Sequence, residues 1–189
     1  MSTLNAFDHG KAFIAFVTCG DPDLETTAEL VRAMEKSGVD LIELGIPFYD
    51  PTAEGPVIQG ANLRALANGI TTDKIFDMVR EVRKTVKIPF VFMTYANVVL
   101  SYGIDRFLKT SAGIGMDGII LPDVPFEEKD EFSETCQKYG LEFISLIAPT
   151  SKDRISMIAK KAEGFIYCVS SLGVTGVRTE IKSDIGGMV

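Results

Sequence analysis

LIELGIPFYDPTAEGPVIQGANLRAL, residues 41–66, carries the information that decides the fold. It opens as a short apolar run, LIELG at 41–45, interrupted by a single carboxylate, Glu43. Asp50-Pro51 and Gly55-Pro56 then mark turns, and a helical pattern follows over residues 58–68. A strand, a loop loaded with polar groups and a helix make one βα unit, with its chemistry at the C-terminal end of the strand.

The same rhythm extends in both directions. Apolar runs recur as FIAFVT at 13–18, FVFMTY at 90–95, GIIL at 118–121, LEFISLI at 141–147 and FIYCV at 165–169. They are rich in Ile, Val and Phe and largely free of alternation, as strands covered on both faces are. Between them the spacing predicts helices from Leu24 onward and over 72–85, 105–111, 126–139 and 152–161, with Asp21-Pro22 opening the first and Gly38 closing it. Repeated strand and helix means parallel pairing through right-handed crossovers. Six such units fit either an open doubly wound sheet or most of a TIM-type (βα)8 barrel. Polar residues at the ends of several successive strands favour the barrel, since an open sheet concentrates its signal at one switch point. The first turn has no G-x-G-x-x-G, which argues against a dinucleotide site. The expectation is one α/β domain over residues 1–189 with about six βα units.

Composition narrows the function. A net charge of −7 argues against a nucleic-acid surface, which needs clustered Lys and Arg. Cys19, Cys136, Cys168 and the one histidine, His9, have no metal-ligand spacing. Free thiols fit a reducing cytosol, and the expected site of action is cytoplasmic. No apolar run approaches a membrane span of roughly 20 residues, and residues 1–16 lack the plan of a secretory signal.

Glu43 lies between Ile42 and Leu44 inside a strand pattern. Burying a carboxylate there raises its pKa and lets it exchange protons near neutral pH; a structural ion pair in the barrel mouth is the competing reading. Asp50 and Glu54 sit in the loop above it. Two acids of different burial can divide acid and base roles, although turn chemistry alone accounts for Asp50.

ELGIPFYDPTAEGPVIQ at 43–59 closely resembles the active-site segment of tryptophan synthase α subunits, E-L-G-x-P-F-S-D-P-x-A-D-G-P-x-I-Q. FVTCGDP at 16–22, ANLRAL at 61–66, MTYANVVLSYGID at 93–105, LPDVPFEE at 121–128 and GVTG at 173–176 continue the resemblance in order along the chain, the third of these read as a strand and its loop. It implies a lyase that cleaves indole-3-glycerol phosphate to indole and glyceraldehyde 3-phosphate. Glu43 takes the acid/base position, and Glu54 that of the carboxylate accepting the indole N–H. Tyr95 and Asn97 are implied at the mouth of the third strand and Tyr167 at the sixth. Phe16, Ile120 and Pro122 wall an apolar indole slot, with core packing the competing reading for Phe16 and Ile120. Thr175 and Gly176 belong to a closing lid, where Thr175 orients the loop carboxylate. The resemblance implies no cofactor, because the indole ring itself can hold the charge. It implies a PLP-dependent β subunit as partner, in an α2β2 heterotetramer.

The chain departs from the pattern at Tyr49, where the family has Ser, and at Glu54, where it has Asp. One extra methylene moves a carboxylate by about 1 Å, a misplacement that can cost on the order of 100-fold in rate. The family's seventh and eighth units, whose backbone N–H groups hold the substrate phosphate, have no counterpart before Val189. The expectation is therefore a piece of a longer protein, or a chain that pairs its open edges with another copy. A second reading is a catalytically impaired or inactive barrel remnant that docks on a β subunit and activates it. Another sugar-phosphate aldolase or isomerase would want a strand-end Lys or a metal cluster, and the sequence offers neither.

Overall fold

The computed structural model describes residues 4–170, 173–176 and 185–187. Strands β1 (Ile14–Thr18), β2 (Leu41–Gly45), β3 (Phe90–Met93), β4 (Gly118–Ile120) and β5 (Glu142–Phe143) pair in chain order, all parallel. β6 (Ser145–Ile147) and β7 (Ile166–Cys168) form a second parallel pair. The run expected as one strand over 141–147 is thus two pieces that meet at Ile144. Its first piece pairs back to β4 and its second pairs forward to β7. That hand-over keeps the staves in the order of a curved (βα) barrel with six units. Among the described residues β1 pairs only with β2, and Phe13, just before it, is 64% exposed.

Side-chain parity divides the strands between two cores. Leu41, Val91, Ile120 and Ile144 pack inside the curve, joined by Ile14, Met93, Leu146 and Tyr167. Ile42, Leu44, Phe90, Phe92, Ile119 and Phe143 face outward onto helix residues such as Val31, Ile75, Val79, Phe107 and Phe132. Both faces being apolar, alternation disappears from the sequence. Parity also sends Glu43 inward with Leu41.

The helices are α1 (Leu24–Lys36), α2 (Pro56–Ala67), α3 (Thr72–Val82), α4 (Ala96–Tyr102), α5 (Ile104–Gly113), α6 (Asp130–Tyr139) and α7 (Ile155–Lys161). The helix expected over 126–139 begins instead as a 3-10 turn, Phe126–Glu128, and α7 is preceded by another, Pro149–Arg154. Asp23 caps α1 by accepting from the Thr26 N–H at 2.7 Å, while Asp21 pairs with Arg64 of α2 at 2.7 Å. At the N-terminal ends of the strands, Asp117 accepts from Arg83 at 2.6 Å and from the Phe90 N–H at 2.9 Å. That end is built for stability.

One helix is absent from the sequence reading: residues 93–105 were expected as a strand and its loop, yet they hold α4. Its cap is not local. Asp123, in the loop after β4, accepts from the Ala96 N–H with both carboxylate oxygens, at 3.0 and 3.1 Å. Gly103, at φ 91°, ends the helix after seven residues. Asp123→Ala is expected to lower unfolding stability by about 1 kcal/mol, the usual cost of a lost cap. Urea denaturation checks this; unchanged stability would show that α4 starts without Asp123.

Candidate active site

The loop from β2 to α2 joins the two candidate carboxylates, Glu43 and Glu54. Gly55 is the N-cap of α2 and Pro56 occupies its first turn, where a missing N–H costs nothing. Glu43 is 5% exposed, and its ladder neighbours are Phe16 on β1 and Val91 on β3. Among the described residues its carboxylate has no ion pair, so the alternative of a structural salt bridge finds no support there. Burial raises its pKa to about 7. Such a group is present in both protonation states near neutral pH.

Two aromatic side chains share that inner face. Phe16 lies over Gly45: a Cβ added there would come within 2.5 Å of the ring. Tyr167, on β7, has its phenol pKa raised by burial and further by the negative charge of Glu43. The two groups are electrostatic neighbours across the barrel. Ile120 is fully buried in the inner core with Leu41 and Val91.

Glu54 is half-buried and held at both ends. Its carbonyl accepts from Gln59 Nε2 at 2.8 Å, and its Oε2 accepts from the Tyr95 hydroxyl. The Tyr95 oxygen in turn accepts from the Ala53 N–H at 3.0 Å. Burial and then the Glu54 hydrogen bond raise the Tyr95 pKa well above that of a free phenol. The ring stacked on Tyr95 is Phe48, 5.3 Å away, whereas Tyr49 is 67% exposed. Asp50 is exposed beside Pro51, in keeping with its turn reading.

The 173–176 segment reaches the same loop through its backbone. Thr175 N–H donates to the Ala53 carbonyl at 2.9 Å. The Thr175 carbonyl fills the space beside Gly55, where an added Cβ would lie 1.9 Å from it. The Thr175 and Gly176 side-chain positions are exposed. Asn97 stands on the first turn of α4, exposed, and lines a shallow groove with Phe48, Thr72 and Tyr102. The structure thus gathers Glu43, Phe16 and Tyr167 in one group, and Glu54, Tyr95 and Thr175 in another around Ala53; Asn97 joins neither. The sequence showed neither what requires a glycine at 45 nor what requires one at 55, because the one is a distant ring and the other a distant carbonyl. Among the described residues no group of three or more His, Cys, Asp and Glu could hold a metal ion.

The family model for the tryptophan synthase alpha chain matches residues 2–189. A tryptophan synthase alpha chain from Alkaliphilus metalliredigens is 50% identical over 189 residues, covering 100% of this chain and 71% of the relative. Among solved structures, the subunit alpha from Legionella pneumophila superposes with TM-score 0.82 at 44% identity, covering 87% of this chain and 64% of that one. A chain of the tryptophan synthase α2β2 complex of Pyrococcus furiosus gives TM-score 0.79 at 36% identity, covering 83% and 64%. The chain therefore spans just under two thirds of the length of these solved chains.

The raised pKa of Glu43 makes stability depend on pH. The folded carboxyl keeps its proton where the unfolded one, at 4.5, releases it. Stability from this group is fully present below 4.5 and is lost as pH rises through about 7, by about 3 kcal/mol in total. Glu43→Gln is expected to remove that slope, so that the variant gains on the wild type as pH rises. Urea titrations across this range measure it; parallel curves for the two proteins would mean that Glu43 ionises normally.

Proposed function

The chain belongs to the tryptophan synthase α chain family, and from that premise we propose that it cleaves indole-3-glycerol phosphate with Glu43 and Glu54 as its catalytic pair. Enzymes of this family are lyases that carry out that cleavage in tryptophan biosynthesis. The observation that carries the proposal is Glu43: a carboxyl buried on the inner face of β2, brought by burial to a pKa of about 7.

The reaction is a retro-aldol cleavage. The protonated Glu43 gives its proton to the indole ring carbon that bears the glycerol chain, leaving a positively charged ring. The glycerol hydroxyl on the adjacent carbon then returns a proton to Glu43. As the hydroxyl oxygen becomes the aldehyde of glyceraldehyde 3-phosphate, the carbon–carbon bond breaks and its electron pair restores the indole. Glu43 ends as it began, which suits a group of near-neutral pKa to both halves. Glu54 accepts the indole N–H and offsets the ring's transient charge, an electrostatic role that is strongest where water is excluded. Phe16 and Tyr167 supply the apolar walls beside Glu43, and the Thr175 segment covers the loop that carries Glu54.

A PLP-dependent β subunit is the proposed partner, in an α2β2 assembly and in the cytoplasm. Exposed apolar side chains lie on the site's own elements: Tyr49 at 67% and Val57 at 73%, with Leu100 and Val174 also exposed. These side chains are available to a partner at the mouth of the site. No helix among the described residues is long and apolar enough to cross a membrane.

The test is indole release from indole-3-glycerol phosphate by the protein, with and without a β subunit. Glu43→Gln is expected to lower turnover by about 100-fold or more, some 2.7 kcal/mol of transition-state stabilisation, with KM little changed. Turnover within tenfold of wild type would remove Glu43 from the mechanism.

A further inference from the structure

We propose that Tyr95 is a positioning residue that clamps the Glu54 carboxylate, and that it does not contact the substrate. The proposal rests on Glu54 being the second carboxylate of the reaction. Tyr95 is 3% exposed, and its ring is stacked on Phe48, so its phenol oxygen has a fixed place. Among the described residues that oxygen is hydrogen-bonded to the loop after β2, where Thr52 also acts on it. It accepts from the Ala53 N–H at 3.0 Å and donates its one hydrogen to Glu54 Oε2. A phenol has a single hydrogen to give, and here Glu54 takes it.

The consequence falls on Glu54. A free glutamate side chain samples several rotamers, and fixing it costs on the order of 1.5–2 kcal/mol. With Gln59 holding its carbonyl and Tyr95 holding Oε2, that cost is met before any ligand arrives. Oε1 is left to accept an N–H, with its direction set by the bond to Oε2. The clamp also explains how the site works with Glu rather than Asp at 54. Tyr95 begins α4 just beyond β3 and reaches across to the β2 loop, where it meets the longer side chain. Thr175 stabilises the same corner from the other side through the Ala53 carbonyl.

The test has a spectroscopic arm and a kinetic arm on the whole protein. With tyrosine 13C-labelled at Cζ, the resonance missing from Tyr95→Phe belongs to Tyr95. That resonance is expected to report hydrogen-bond donation in the wild type and to move towards the free-tyrosine position in Glu54→Ala. In kinetics, Tyr95→Phe is expected to lower kcat about tenfold or more with KM unchanged, and to cause no further loss in a Glu54→Ala background. Glu54→Asp, too short for the clamp, is expected to lose kcat to a similar degree. A resonance that ignores Glu54→Ala overturns the clamp. So does a Tyr95→Phe variant that raises KM at constant kcat, since that marks a substrate contact. If the resonance moves while wild-type protein releases no indole, the clamp stands and the proposed activity fails.

Discussion

The free-energy cost of holding an ionised carboxylate inside an apolar barrel governs the rest of this structure. Glu43 sits in the inward-facing row of β2, two residues from Leu41 and beside Phe16 and Val91. Water can solvate an ionised carboxylate, and this site cannot, so the proton is retained to higher pH. A fold tolerates such a residue only where rigid packing around it offsets the cost. The two-sided packing of the strands supplies that rigidity, with Phe76, Phe107 and Tyr102 in edge-on contact on the outer side and Phe92 tilted against Phe76. Burial therefore costs stability and moves the pKa at one and the same side chain, the pattern that functional sites share.

The second carboxylate solves a different problem. Glu54 lies on a loop, where side chains move, and a misplaced charge stabilises little. Order reaches this loop from three other parts of the chain: Tyr95 after β3, Gln59 in α2 and Thr175 beyond β7. Each contributes hydrogen bonds of only about 1–2 kcal/mol in net terms, yet all converge on residues 53–54. Asp123 belongs to the same construction at one remove, because it caps the helix that Tyr95 begins. The loops thus act as a connected set anchored on rigid strand ends, the usual arrangement at the C-terminal face of a barrel.

Sequence revealed the parts of this structure that depend on local pattern. The six apolar runs fall on the observed strands, because covering both faces of a strand leaves a continuous hydrophobic signature. Glu43 stood out as a charge inside such a run, and the 43–59 segment pointed to the family. What stayed hidden depends on residues far apart in the chain. α4 escaped because its cap, Asp123, lies 27 residues away. The clamp on Glu54 escaped because Tyr95 lies 41 residues away. The contact that Thr175 makes with the β2 loop escaped because it runs through the backbone, and any residue type can provide that. Asn97 shows the reverse: a residue matched by motif whose observed place, on an exposed helix turn, follows from a helix the motif did not announce.

The account stands on the protonation of Glu43. A 13C NMR titration of the Glu43 carboxyl carbon, assigned by its absence in Glu43→Gln, measures it directly and without substrate. The account predicts a midpoint of about 7. A midpoint at the ordinary value of 4.5 would show a solvated, permanently ionised carboxylate and contradict its assignment as the group that both donates and accepts the reaction's proton.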